Sequence, residues 1–223
     1  MFAKNCSMDD TTGKMVDVLR KSHGMDAHNL DHGKKMFAFR GWSGKRMRRQ
    51  AERLYDQLDL QRIFELRTGA CFVTHSMGFL FMLELLELWE ERHGSECIRL
   101  ADRIITFSPA VSKNVDVSGM GFSSLVVIHN PRDRALMAGS WIPFHPYGFG
   151  GRNGLKAAEE SQRVENILDP QTDEAPGLRH NHYFTSPFLE QWANWTDLFF
   201  RTGLTYPPSW GSEEEILKNM HSR

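Results

Sequence analysis

The chain has 223 residues, with 27 basic against 28 acidic side chains, a formal charge of −1 and 40% hydrophobic residues. That length and apolar share suit one domain with a sizeable core, and the even charge balance provides no global field to hold nucleic acid or an anionic membrane. Three widely spaced cysteines, Cys6, Cys71 and Cys97, argue against a disulfide framework and a thiolate zinc site and read as reduced thiols.

No run approaches the roughly 20 apolar residues of a membrane span, and the N-terminus, with Asp9 and Asp10, lacks the apolar core of a signal peptide. A soluble, cytoplasmic protein is expected, in which the sequons at Asn5 and Asn194 are silent. Residues 1–35 are a polar extension rich in His, Asp, Met and Gly, with one weak helical pattern over Met15–Leu19. Met36–Phe39 reads as a short buried strand running into Arg40-Gly41-Trp42-Ser43-Gly44, a glycine-flanked turn. A helix follows from about Lys45 to Asp59, with Met47, Ala51, Leu54, Tyr55 and Leu58 on one stripe and a basic first turn best read as a solvated face. Gln61–Glu65 is a short strand or a loop.

The next stretch organises the chain. Ala70–Val73 is a short apolar strand, Met77–Trp89 is an apolar helix ended by Gly94, and Ser76 stands at the corner between them. Further strands are expected at Arg103–Phe107, ended by Ser108-Pro109-Ala110, at Ser124–His129, followed by the turn Asn130-Pro131-Arg132-Asp133, and at Val164–Leu168. Between the last two lies an insertion, Arg134–Gln162, rich in aromatic residues, proline and glycine. It lacks the glycine loop followed by Lys-Ser/Thr of a phosphate cradle, so no nucleotide or other cofactor is expected, and it suits a loop packed over the sheet edge. Arg179-His180-Asn181-His182-Tyr183-Phe184 precedes a helix opened by Ser186-Pro187 and striped with Phe188, Leu189, Trp192, Trp195, Leu198 and Phe199. His180 and His182 have no third ligand at a recognisable spacing, so no metal is expected. Ser212-Glu213-Glu214-Glu215 caps a short terminal helix.

Thr74-His75-Ser76-Met77-Gly78 resembles the nucleophile elbow of the α/β-hydrolase superfamily, with Thr74 in place of the first glycine. The Gly41-Trp42 turn, Asp133 after a strand and His180 before the last helix stand in that family's order, over roughly Met36–Phe200. The resemblance implies a three-layer α/β/α sandwich with a mainly parallel sheet of five or six strands, lacking the family's clear first strands and its helical cap. Residues 36–202 form the core and 203–223 a tail. It implies acyl transfer to water from an ester-like small-molecule or lipid substrate. Ser76 is the nucleophile, His180 the base and acid, Asp133 its orienter, and the N–H groups of Trp42 and Met77 the oxyanion donors. Asp116 and Asp169 are fallbacks for Asp133. A non-catalytic binding module of the same fold, or an acyltransferase, remains open.

Overall fold

The computed structural model describes residues 9–30, 44–66, 68–94, 98–140, 149–169, 180–185 and 188–205. The expected strand Met36–Phe39, the Arg40–Gly44 turn with Trp42, Ser186-Pro187 and the terminal helix lie outside them, apart from Gly44.

Among the described residues the elements run α1 (Asp9–His23), α2 (Gly44–Tyr55), α3 (Leu60–Glu65), β1 (Ala70–His75), α4 (Gly78–His93), β2 (Ala101–Phe107), β3 (Ser124–His129), α5 (Arg134–Ser140), α6 (Phe149–Asn153), α7 (Ala157–Glu160), β4 (Val164–Leu168), a 3-10 turn (His182–Phe184) and α8 (Phe188–Thr202). The strands form one parallel sheet in the order β1-β2-β3-β4, an α/β architecture.

Alternation along the strands sends side chains to two separate cores. Ile104, Leu125, Val127 and Val164 join residues of α2, α3 and α4 on one face, while Ile105, Phe107, Val126, Ile128 and Ile167 join α1, the 3-10 turn and α8 on the other. Because β2 and β3 are covered on both faces, their sequences read as continuous apolar runs. α4 is apolar nearly all round for the same reason, with nine buried side chains from Phe79 to Trp89, each worth roughly 1.5–3 kcal/mol when fully removed from water. Gly94, at φ +79°, ends α4 with its N–H on the Glu90 carbonyl.

Two segments differ from the sequence reading. Residues 61–65 are neither strand nor loop but belong to α3, started by Asp59, whose carboxylate accepts from the Arg62 N–H; in so short a segment the cap, not periodicity, carried the signal. The insertion after Asp133 holds the helices α5, α6 and α7. Gly151 serves close backbone approach: a Cβ there would meet the Pro109 carbonyl oxygen at 2.6 Å and the Ser108 carbonyl carbon at 2.7 Å.

α1 is longer than its weak pattern and buries Met15 and Leu19 in the same core as α8. His23 Nδ1, 3.1 Å from Asp197, ties α1 to α8, and Arg201, one turn further along α8, is bound to the same carboxylate. No helix among the described residues is long and apolar enough to cross a membrane.

Candidate functional site

Parallel strands in one sheet bring their carboxyl ends to one edge, and of the residues singled out by sequence Ser76, Met77, Asp133 and His180 lie there. β1 ends at His75 and α4 begins at Gly78, so Ser76 and Met77 alone make the turn. Ser76 has φ +54°, and with Ser108 at +44° it is one of two non-glycine residues among those described with positive φ. Such a conformation costs a non-glycine residue on the order of 1–3 kcal/mol and persists only where its surroundings enforce it. Here the Ser76 N–H donates to the Phe107 carbonyl at 3.0 Å, and the Ser76 carbonyl accepts from the Ala110 N–H at 3.0 Å. The residue is half-buried.

Thr74, bulkier than glycine, still fits the turn: it is buried with its hydroxyl facing the Ile105 carbonyl. Gly78 is not required by helix–strand contact, since a Cβ there would sit 3.9 Å from the Thr74 Cβ, an ordinary van der Waals distance. Met77, in helical conformation (φ −67°, ψ −21°), caps α4 with no side-chain hydrogen bond. The N–H groups at this helix start are the ones an α-helix leaves without intrahelical partners, and they carry the positive end of its dipole.

Asp133 follows β3 and starts α5. One carboxylate oxygen accepts from the N–H groups of Ala135 and Leu136 at 3.0 Å each, and the other lies 2.5 Å from His180 Nδ1. Burial pushes this carboxyl up, but the hydrogen bond and charge of His180, the Leu136 N–H and the Ser108 hydroxyl outweigh it and hold Asp133 below the usual carboxylate range. The carboxylate accepts, so Nδ1 carries the proton, and in the neutral imidazole Nε2 is left as the acceptor. The fallback carboxylates have other partners: Asp116 lies in an exposed loop on the Ser118 N–H, and Asp169 pairs with His182.

His75 joins the two halves. Its Nε2–H donates to the His180 backbone carbonyl at 3.1 Å, and the two imidazole centroids are 4.5 Å apart. Burial first, then the neighbouring His180, lowers its pKa to about 3, so it is neutral at physiological pH. The strand that delivers Ser76 is thereby hydrogen-bonded to the loop that delivers His180. Below that loop, Phe107 contacts the rings of Tyr183, Phe184 and Trp192 at 4.9, 5.6 and 5.2 Å.

Several residues here carry roles that sequence reading did not assign. His182 is buried with Nε2 2.7 Å from Asp169, a second imidazole–carboxylate pair beside the first. Asp169 also accepts from Asn130 Nδ2 at 2.9 Å. The signal was available in part: Asp169 directly follows a strand, as Asp133 lies just beyond one. A cavity of about 800 Å³ runs along the β1 side of the sheet, bordered by Met15, Phe72, Thr74, His75, Gly78 and Met82; it touches the site only at the strand end. Among the described residues no cluster of His, Cys, Asp and Glu has the arrangement of a metal site.

Comparison with known proteins finds no matching family model, no matching curated protein and no matching solved structure. A neutral imidazole fixed by a carboxylate can take a proton at Nε2, and a half-buried serine in a strained turn beside a helix N-terminus is suited to forming a new bond at Oγ.

Proposed function

We propose that the chain is a serine hydrolase of the α/β-hydrolase type, a small member with a three-layer core and no helical cap, cleaving ester-like bonds of a small-molecule or lipid substrate. The observation that carries the reading is the Asp133–His180 contact at 2.5 Å, made at the same sheet edge at which Ser76 is held at φ +54°. Either feature alone has an ordinary explanation, an ion pair or a tight turn; their meeting at one edge, joined through His75, supports a single reacting centre.

In this mechanism Ser76 Oγ attacks the carbonyl carbon while His180 Nε2 takes its proton. The imidazolium is stabilised by Asp133, which stays ionised. The carbonyl oxygen becomes an oxyanion against the Met77 N–H at the start of α4. The second expected donor, Trp42, lies outside the described residues. Collapse breaks the bond to the leaving alcohol, which departs with the proton from His180 and leaves the acyl group on Ser76. Water then repeats the sequence: His180 removes its proton, the hydroxyl oxygen attacks the acyl carbon, and the acid leaves as Oγ regains its proton. His75 remains neutral, so it adds no positive charge 4.5 Å from the imidazolium as that forms.

The test is covalent labelling with a fluorophosphonate, which phosphonylates an activated serine. Wild-type protein is expected to label and Ser76→Ala to remain unlabelled with its circular dichroism unchanged. A folded wild type that never labels would favour a binding module built on the same fold. Transfer of the acyl group to an added alcohol in preference to water would favour an acyltransferase.

A further inference from the structure

Asp169 stands one residue past β4, fully buried, with its N–H donating to the His129 carbonyl at 2.9 Å. A single oxygen of its carboxyl group, Oδ2, meets two side chains from different parts of the chain: Asn130 Nδ2 donates to it at 2.9 Å, and His182 Nε2 lies 2.7 Å from it. Neither partner takes part in the chemistry just described. Each is close along the chain to a residue that does, Asn130 opening the turn that ends in Asp133 and His182 following His180 by one intervening residue.

Both partners are built into the segments they belong to. In the turn between β3 and α5, Asn130 Oδ1 accepts from the Arg132 N–H at 2.9 Å and the Asn130 carbonyl from the Asp133 N–H at 3.1 Å. The Asn130 amide therefore has one end on its own turn and the other on Asp169. His182 opens the 3-10 turn, and its carbonyl accepts from the Thr185 N–H at 3.0 Å and the Thr185 hydroxyl at 2.8 Å. Other bonds fix each half separately: the N–H groups of Ala135 and Leu136 hold the Asp133 carboxylate at the start of α5, and His75 holds the His180 carbonyl to β1. Asp169 joins turn to loop, alongside the 2.5 Å contact between Asp133 and His180.

We infer that Asp169 is a positioning residue of the acid–base pair: through Asn130 it sets the turn that carries Asp133, through His182 the loop that carries His180, and so the separation and alignment of carboxylate and imidazole. A carboxyl group without exposed surface is a costly clip, since apolar side chains of like volume commonly stabilise a fold as well as a buried polar or charged pair does. What it adds is direction. One oxygen with two lone pairs brings an amide and an imidazole to a single point, and proton transfer at Ser76 is sensitive to displacements of the pair that the fold as a whole tolerates. The inference rests on the assignment of Asp133 and His180 as acid and base.

The test uses Asp169→Ala in the full chain, read in two ways below its melting transition. The first needs no turnover: the downfield NMR resonance of the His180 Nδ1–H, assigned by its loss in both His180→Gln and Asp133→Asn, is expected to move upfield or to be lost to exchange in the variant. The second is the rate of fluorophosphonate labelling, expected to fall about 10–100-fold. The same substitution made in Asp133→Asn is expected to change that slower rate by less than about twofold, because a residue acting through the pair has nothing left to act on. Equal slowing in the two backgrounds, or an unmoved resonance, would overturn the inference and leave Asp169 a residue of the fold alone. Should Asp169→Ala fail to fold, Asn130→Ala and His182→Phe, each cutting one arm, are read by the same criteria; failure of all three to fold would likewise assign the carboxyl group to the fold. A wild type that never labels, with a resonance that still moves in the variant, would end the hydrolase reading and leave the positioning role standing. A wild type with neither labelling nor the resonance has no held pair and overturns both.

Discussion

His75 makes a pH-dependent contribution to stability whose size follows from its burial. It is 6% exposed and its imidazole pKa is lowered to about 3 from a model-compound value of 6.5. A base whose pKa is lower when folded binds more protons when unfolded. Its contribution is therefore fully present above the unfolded pKa and is lost as the pH falls toward the folded one. At about 1.36 kcal/mol per pH unit, the loss between pH 7 and pH 5 is about 2 kcal/mol from this group. His75→Gln keeps an N–H able to reach the His180 carbonyl and removes the titration. Urea unfolding of both proteins at the two pH values measures it. The wild type is expected to lose about 2 kcal/mol more than the variant on acidification. The comparison of pH slopes cancels the constant cost of losing the ring contact with Phe184. Asp133, held below the usual carboxylate range, remains ionised at both pH values and does not contribute to the difference. An equal loss in both proteins would refute the reasoning and mean that His75 is solvated or protonated in the fold.

Asp133→Asn is expected to leave the protein folded and to slow fluorophosphonate labelling by about 10⁴, the scale on which neutralising a triad acid acts; labelling at the wild-type rate would transfer the role to another carboxylate. Gly151→Ala should lower thermal stability by about 1–3 kcal/mol through overpacking, because its Cβ would meet backbone atoms of Ser108 and Pro109 within 2.7 Å. Gly78→Ala, whose Cβ meets nothing nearer than 3.9 Å, should leave the melting temperature unchanged or slightly raised. A melting curve in which Gly78→Ala is the more damaging of the two would contradict the packing argument.

What the sequence disclosed and what it concealed divide along a physical line. β3 and β4 were read to the residue, and α4 to its glycine stop, because burial on one or both faces writes itself as an apolar run with clear punctuation. Asp133 and His180 could be singled out because one stands just after a strand and the other just before the last helix, in the order of the family that the chain resembles. α3 was not, because one and a half turns give too little periodicity and its only signal was Asp59 as a cap. The helices after Asp133 were obscured by glycines that look like loop residues but serve close approach, at Gly150 and Gly151. His182 and Ser108 were missed because their partners, Asp169 and Tyr183, are far along the chain, and nothing local to either residue announces a contact made through tertiary packing.

The arrangement at the sheet edge has a further consequence for how strain is sustained. Ser76 and Ser108 end adjacent strands and both hold positive φ, an expense of on the order of 1–3 kcal/mol each. Neither is held by its own element. Ser76 is fixed by Phe107 and Ala110 on either side of Ser108, Ser108 by Ile128 of β3, and Asn130 in turn by the Gly151 carbonyl of α6. Each strained turn thus leans on the next strand across, and the chain of support ends in a helix whose glycines let it sit against the backbone. The packed apolar sheet supplies the stability, while its carboxyl edge spends part of it on a geometry that an isolated turn would not keep. A perturbation at α6 should therefore reach Ser76 through two intervening strand ends without touching it, so the melting temperature and the chemical competence of this edge are set by some of the same contacts.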